Sequence, residues 1–84
     1  MTLLIPPSVE KELAQMPKAD ARRLRDRLEA IATAPSAQHP NVTAMVGVQG
    51  VFRVRQGGGW RAVFSIEDGD VIVDRVAHRG EVYR

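Results

Sequence analysis

The sequence predicts an α+β domain with an N-terminal strand, a two-helix hairpin and then a three- to four-stranded antiparallel sheet. Two observations carry this prediction. In the first part of the chain, apolar residues recur at three- and four-residue intervals, which is typical of helices. The second part alternates apolar with polar residues and is interrupted by glycine turns, which is typical of strands. With 84 residues, the whole of 1–84 is expected to form a single domain.

The N-terminal part is predicted to contain a short strand and two helices. The aliphatic run Thr2–Ile5 favours a strand, and the two prolines that follow end it because proline cannot donate to a ladder. Ser8 is the expected N-cap of a first helix. Pro17 separates that helix from a second one over Lys18–Thr33. The apolar stripe of the second helix consists of Ala21, Leu24, Leu28 and Ile31.

The C-terminal part is predicted to be a β-meander. Residues 34–50 are expected to form mainly a loop, with a short strand near Thr43–Val48. The three strands of the meander are predicted over Val51–Gln56, Trp60–Glu67 and Val71–Ala77. The step from Asp68 to Gly69 favours a hairpin turn between the last two strands. The tail from His78 onwards is expected to leave the sheet, and the helix pair should cover one sheet face.

Composition excludes several classes of function. The chain has no cysteine, which excludes a disulfide scaffold, a thiolate zinc site and a cysteine nucleophile. Its two histidines are too few to favour a catalytic metal site, so we expect neither a metal nor another cofactor. No apolar run approaches the roughly 20 residues of a membrane span. The N-terminus lacks the basic segment of a secretory signal, so the expected location is the cytoplasm, away from the membrane.

The basic residues form a cluster in the predicted meander. Ten of the twelve basic residues are arginine, a side chain suited to phosphate. Side chains alternate along a strand, so Arg53 and Arg55 share one face. Arg61 joins them if the aromatic faces of both strands meet the helices. No acidic residue lies between positions 51 and 66, whereas an ordinary solvated sheet face carries mixed polar types. The cluster therefore favours contact with a nucleic-acid backbone.

The tail adds Arg79 and Tyr83 to these candidates. Arginine can stabilise the charge of a phosphorane-like transition state. Neighbouring cations favour the phenolate form of tyrosine, which can act as a base. Tyrosine can also stack on an unpaired RNA base, and a C-terminal anchor is the structural alternative for Tyr83. His78, at the predicted strand end, is expected to hydrogen-bond the backbone.

The order of these features resembles the RelE/ParE superfamily of toxins from bacterial type II toxin–antitoxin systems. The segments that carry the resemblance are Pro7–Leu13 with Met16 and Pro17, Gly50–Arg55, Trp60–Phe64, and Val76–Arg79 followed by Val82 and Tyr83. They extend over nearly the whole chain. The resemblance implies a RelE-like fold and a cognate antitoxin protein as partner.

For the RelE branch, the resemblance implies a ribosome-dependent, metal-independent endoribonuclease. Such toxins cut mRNA in the ribosomal A site through attack of the ribose 2′-OH on the adjacent phosphate, and so inhibit translation. Arg53 and Arg55 resemble the basic pair that contacts the mRNA backbone, and Arg61 resembles the arginine that stabilises the transition state. Arg79 resembles a second phosphate-contacting arginine and acid. Tyr83 resembles the tyrosine that stacks on the substrate or deprotonates it.

Two other functions stay open at this point. The ParE branch implies a non-enzymatic inhibitor of DNA gyrase. Arginine in place of lysine at the basic pair is compatible with that branch, because arginine exchanges protons poorly. The other alternative is a degenerate toxin that acts mainly in an antitoxin complex repressing its own operon, with DNA contacted only through the antitoxin. An arginine face of this kind favours an acidic, amphipathic partner.

Overall fold

Two helices and five strands make up the part of the chain that the computed structural model describes, residues 2–34 and 37–78. In chain order they are β1 Leu3–Leu4, α1 Pro7–Ala14, α2 Lys18–Thr33, β2 Val42–Ala44, β3 Val51–Gln56, β4 Trp60–Glu67 and β5 Asp70–His78. A single 3₁₀ turn over Gly57–Gly59 joins β3 to β4. The predicted α+β fold class is confirmed. Among the described residues, no helix combines the length and apolar character that crossing a membrane requires.

All five described strands belong to one mixed sheet with the order β1-β5-β4-β3-β2. The predicted N-terminal strand lies at one edge, where it pairs in parallel with β5. The other pairs are antiparallel, and β2 forms the opposite edge. The sheet is therefore larger than the predicted three- to four-stranded one, since both short strands join it. The helix hairpin carries the chain from one edge to the other.

Both helices pack on one face of this sheet, and no helix of the described residues lies on the other, which we call the open face. The buried core residues of the helices are Val9, Leu13, Met16, Leu24, Leu28, Ile31 and Ala32. Those of the sheet are Val54, Ala62, Phe64, Val71, Val73 and Val76. Ala77 is also buried but lies opposite Arg61, on the other face. Phe64 stacks on the partly buried Phe52, with 5.7 Å between ring centroids. The aromatic faces of β3 and β4 thus both meet the helices, as the alternation predicts, and their arginine faces are turned away.

The first helix begins earlier than predicted. Its N-cap is Pro6 and not Ser8, which lies inside α1. The N–H groups of Val9 and Glu10 donate to the Pro6 carbonyl at 2.9 and 3.0 Å. Pro7 stands at the first helical position, where its fixed φ suits a helix and its missing N–H has no partner to lose. The backbone therefore starts the helix without a side-chain cap.

Two strand boundaries also differ from the prediction. The short strand β2 is Val42–Ala44 and not Thr43–Val48, because the chain turns after Met45 through a segment that contains two glycines with positive φ. The last strand continues to His78, which pairs with Trp60 and so does not leave the sheet as predicted. The remainder of the predicted tail, residues 79–84, lies outside the described residues.

A β-bulge interrupts the pairing of β4 with β5. Val63 lies opposite Arg75, but the next residue of β4, Phe64, lies opposite Val73, so Asp74 is an extra residue without a counterpart. The extra residue resets the alternation of side chains along β5. The valines on the covered face, before and after the bulge, are Val71, Val73 and Val76. Arg75 consequently belongs to the same face as Val63, which is the open one.

Candidate nucleic-acid interface

The open face of the sheet brings three of the predicted site residues together. Arg55 of β3 lies directly opposite Arg61 of β4, and Arg53 lies two residues back along β3, opposite Val63. Directly opposite residues have Cβ atoms about 4.5–5.5 Å apart, and diagonal neighbours are about 7–8 Å apart. We call the surface defined by Arg53, Arg55 and Arg61 the arginine patch. The geometry makes it one cluster, and the roles of its members stay predictions.

A fourth arginine, Arg75, borders the arginine patch and was missed by the sequence analysis. It lies opposite Val63 in β5, with Arg53 opposite the same valine on the other side. Strict alternation after Val73 would place the Arg75 side chain under the helices. Because of the bulge, alternation therefore assigns Arg75 to the wrong face. The signal in the sequence is the three-residue step from Val73 to Val76, where a regular strand has a two-residue step.

The arginine patch places two like charges at directly opposite positions of an antiparallel strand pair. Like charges directly opposite each other destabilise an antiparallel pair, and Arg55 and Arg61 occupy such positions. Arg55 is exposed, while Arg53 and Arg61 are half-buried and their Nε atoms are shielded from solvent. Arg53 and Arg61 therefore have held side chains, and the charge of Arg55 beside them is exposed. Such a group of guanidinium donors suits a bound anion, which would reduce the repulsion between Arg55 and Arg61. Arrangements that cost stability in this way are typical of functional sites.

Charge is distributed unevenly along the open face. At the end opposite the arginine patch, Glu67 lies across from Asp70, whose Oδ1 accepts the Thr2 N–H at 3.0 Å. Six residues of strand separate Glu67 from Arg61, which corresponds to about 20 Å. The surface between them is mostly apolar and includes Val51, Val63 and Ile72. A polyanion bound to this face is therefore favoured at the arginine end and repelled at the other.

The β3–β4 hairpin closes the arginine end. Gly59 has φ +84°, and a Cβ built on it would lie 2.8 Å from Nε2 of His78. The same Nε2 lies 3.1 Å from the Gly58 carbonyl, and the imidazole ring meets Trp60 edge-on with 5.4 Å between centroids. The predicted backbone hydrogen bond of His78 is therefore present. It fixes the hairpin, and with it the spacing of Arg55 and Arg61, against β5.

A pocket of about 310 Å³ lies beside this hairpin and is open to solvent. Its lining residues are Asn41, Arg55, Gln56, Gly57, Gly58, Gly59, Trp60 and Arg61. Gln56 Oε1 is shielded from solvent and has no hydrogen-bond donor among the described residues. A larger cavity of about 480 Å³, lined in part by His39 and Phe52, lies at the β2 edge and contains no member of the arginine patch.

The other two predicted site residues, Arg79 and Tyr83, lie outside the described residues, so the geometry above does not include them. Within residues 2–34 and 37–78, no group of three or more acidic or histidine side chains is arranged to hold a metal ion. What the described site offers chemically is fixed positive charge and guanidinium hydrogen-bond donors. Those groups suit phosphate recognition and stabilisation of developing negative charge.

Solved structures with the same fold include RelE toxins. The chain resembles RelE in the RelB–RelE antitoxin–toxin complex from Methanococcus jannaschii with a TM-score of 0.79 and 21% identity, covering 95% of this chain and 94% of that one. It resembles the isolated E. coli RelE toxin with a TM-score of 0.78 and 22% identity, over 98% and 89% of the two chains. For the archaeal RelE–RelB complex from Pyrococcus horikoshii the TM-score is 0.77 at 24% identity, over 94% of each chain.

Family membership follows from the sequence profile. The profile described as "ParE toxin of type II toxin-antitoxin system, parDE" matches residues 3–83. No curated protein sequence matches the chain. The chain belongs to this toxin family of the RelE/ParE superfamily, and it is a toxin of a type II toxin–antitoxin system. The resemblance drawn from its motifs is thereby confirmed.

Proposed function

We propose that this toxin is an mRNA endoribonuclease that acts on ribosome-bound mRNA without a metal and thereby inhibits translation. The observation that carries the proposal is the arginine patch, in which Arg53, Arg55 and Arg61 share the open face of the sheet. Cleavage of RNA by its own 2′-OH needs a held phosphate, stabilisation of negative charge and two proton transfers. The arginine patch supplies the first two.

The proposed reaction balances as an internal displacement at phosphorus. The 2′-oxygen forms a bond to the adjacent phosphorus, the bond from phosphorus to the 5′-oxygen breaks, and a cyclic 2′,3′-phosphate remains. Arg53 and Arg55 hold the mRNA backbone, and Arg61 stabilises the charge that develops on the non-bridging oxygens. Tyr83 takes the 2′-OH proton; if Tyr83 instead stacks on the base, water takes that proton. The leaving 5′-oxygen takes a proton from solvent, and Arg79 is a further phosphate contact that stabilises its charge.

The proposed protein partner is a cognate antitoxin. Two of the structural neighbours above are complexes of RelE with RelB, and the open face of this chain carries both an arginine patch and apolar residues. An acidic, amphipathic antitoxin segment is complementary to that combination. Contact with DNA is proposed to occur only through the antitoxin. Action on ribosomes implies a cytoplasmic location.

Inhibition of DNA gyrase is the second candidate function. The observation in its favour is the matching profile, which is that of a ParE toxin. Arginine at both positions of the basic pair also fits a role in binding without proton transfer. This function needs no cleavage of RNA.

Expression of the toxin with primer-extension mapping of mRNA tests the two candidates together. The wild type is compared with an Arg61→Ala/Tyr83→Ala double variant. Translation-dependent cuts made by the wild type and absent from the variant are the expected result. Growth arrest with intact mRNA and damaged DNA would contradict the endoribonuclease proposal and favour inhibition of DNA gyrase. No arrest at all would leave the purely regulatory toxin as the remaining function.

A further inference from the structure

Glu12 of α1 reaches from the helix layer to the far half of β5. Its Oε1 accepts the backbone N–H of Val76 at 2.9 Å, and its Oε2 lies 4.0 Å from Nε of Arg75. On the edge of β5 that Glu12 approaches, the neighbouring strand is β1, which pairs only with Val71 and Ile72. Beyond them β5 has no strand neighbour on this side among the described residues. Glu12 therefore supplies the acceptor that an adjacent strand would otherwise provide.

This hydrogen bond lies two residues after the bulge residue Asp74. A shift of one residue in a strand moves every later side chain to the opposite face. Loss of the bulge would turn Arg75 towards the helices and Val76 towards solvent. A bond that holds the Val76 amide in its present position therefore also holds Arg75 on the open face.

We infer that Arg75 is a further phosphate-binding residue of this toxin and that Glu12 is the positioning residue that keeps it on the arginine side of the sheet. The inference rests on the proposed function, because its ligand is the RNA backbone. Arg75 is half-exposed, at 52%, and neighbouring strands lie about 4.8 Å apart, so it extends the arginine patch by one strand.

The contact with Glu12 leaves Arg75 able to bind a phosphate. The carboxylate lies nearest to Nε, and the two terminal nitrogens of the guanidinium carry the remaining N–H donors. An exposed ion pair at this separation is weak, so the arginine can exchange it at little cost for a phosphodiester, whose two non-bridging oxygens can both accept guanidinium N–H groups. The carboxylate acts mainly through the Val76 amide.

Affinity for single-stranded RNA, measured against salt concentration with a fluorescent oligouridine, tests the role of Arg75. Each phosphate contact contributes about 0.7 to the slope of log affinity against log salt for a single strand. Arg75→Ala is expected to lower the slope by about that amount. The matched control is Arg22→Ala, which removes the same charge from an exposed position on α2. An unchanged slope in Arg75→Ala, or an equal loss in Arg22→Ala, would overturn the assignment.

Hydrogen exchange of the Val76 amide tests the role of Glu12 without any use of activity. Glu12→Ala removes the acceptor, whereas Glu12→Gln keeps an oxygen in its place. We expect Glu12→Ala to speed exchange at Val76 by about tenfold and to lower the salt slope as Arg75→Ala does. Glu12→Gln should restore both. If Glu12→Ala kept either the protection or the slope of the wild type, the positioning role would be refuted.

The outcomes also separate this inference from the proposed function. If the wild type cuts mRNA during translation and Arg75→Ala keeps the wild-type slope, only the role of Arg75 fails. If the wild type binds RNA through Arg75 but makes no cuts, the endoribonuclease proposal fails and the binding residue stands. If the wild type shows no salt-dependent RNA affinity, the role of Arg75 fails, and the mapping of mRNA cuts alone decides the endoribonuclease proposal.

Discussion

The β3–β4 hairpin offers a matched pair of glycine substitutions, Gly59→Ala and Gly57→Ala. Gly59 has φ +84°, and its new Cβ would lie 2.8 Å from His78 Nε2, whereas a Cβ on Gly57 has nothing within 4 Å. The two variants therefore add the same methyl group two residues apart. Only the first forces the backbone into a conformation that L residues avoid and displaces the imidazole that holds the hairpin.

The expected magnitude follows from three contributions. An L residue in the left-handed region costs about 1–2 kcal/mol relative to glycine. The displaced His78 ring loses its hydrogen bond to the Gly58 carbonyl, worth about 1 kcal/mol. The lower conformational entropy of alanine in the unfolded chain offsets about 0.5 kcal/mol of this loss. The net loss in the free energy of unfolding is about 2 kcal/mol, which for a domain of this size lowers the Tm by about 8–16 °C.

Thermal unfolding followed by circular dichroism measures this difference, with urea unfolding as a check on the free energy. Gly57→Ala is expected to unfold at or slightly above the wild-type temperature, because it has space and an ordinary φ. If the two variants unfolded at the same temperature, the hydrogen bond between His78 and the Gly58 carbonyl would not fix the hairpin. The reasoning that links this hairpin to the spacing of Arg55 and Arg61 would then be refuted.

Three further predictions concern the core, the arginine patch and the protein surface. Phe64→Ala should lower the free energy of unfolding by about 3–5 kcal/mol in urea, since the ring is buried and stacked on Phe52; a loss below 1 kcal/mol would contradict the described core. Arg55→Thr should raise the free energy of unfolding by about 0.2–1 kcal/mol, because it removes the like charge opposite Arg61. The same variant should bind RNA more weakly, and a lower free energy of unfolding would argue against the repulsion. Glu10→Gln removes the exposed ion pair with Arg25, in which the nitrogen and oxygen lie 2.6 Å apart. The free energy of unfolding in urea should change by less than about 1 kcal/mol, and the difference from the wild type should vanish in 1 M NaCl.

Local patterns in the sequence predict most of the element boundaries. The second helix and the strands β3 and β4 have the predicted bounds, because a periodic apolar stripe and glycine turns encode them over short stretches. The start of α1 was placed wrongly at Ser8, because the Pro6 carbonyl accepts the first helical bonds without a side-chain cap.

Long-range pairing is what the sequence could not predict. Nothing within the two-residue strand β1 specifies that it pairs in parallel with β5, some 68 residues later along the chain. The only sign of the bulge at Asp74 in the sequence is the three-residue spacing between Val73 and Val76. A prediction from strict two-residue alternation does not take that spacing into account. The facing of Arg53, Arg55 and Arg61 was predictable, since it needs only alternation within two regular strands. Arg75 and its partner Glu12 were not, because they depend on the bulge.

The most direct test of the central claim is the rate of single-turnover cleavage of mRNA on programmed ribosomes by the wild type, Arg61→Ala and Arg22→Ala. The two variants carry the same loss of charge, one on the open sheet face and one on the helix layer. We predict that Arg61→Ala slows cleavage by about 100- to 1000-fold, as expected for loss of a group that stabilises the transition state, and that Arg22→Ala cleaves like the wild type. Equal rates for the two variants would contradict the assignment of the arginine patch as the site of mRNA cleavage.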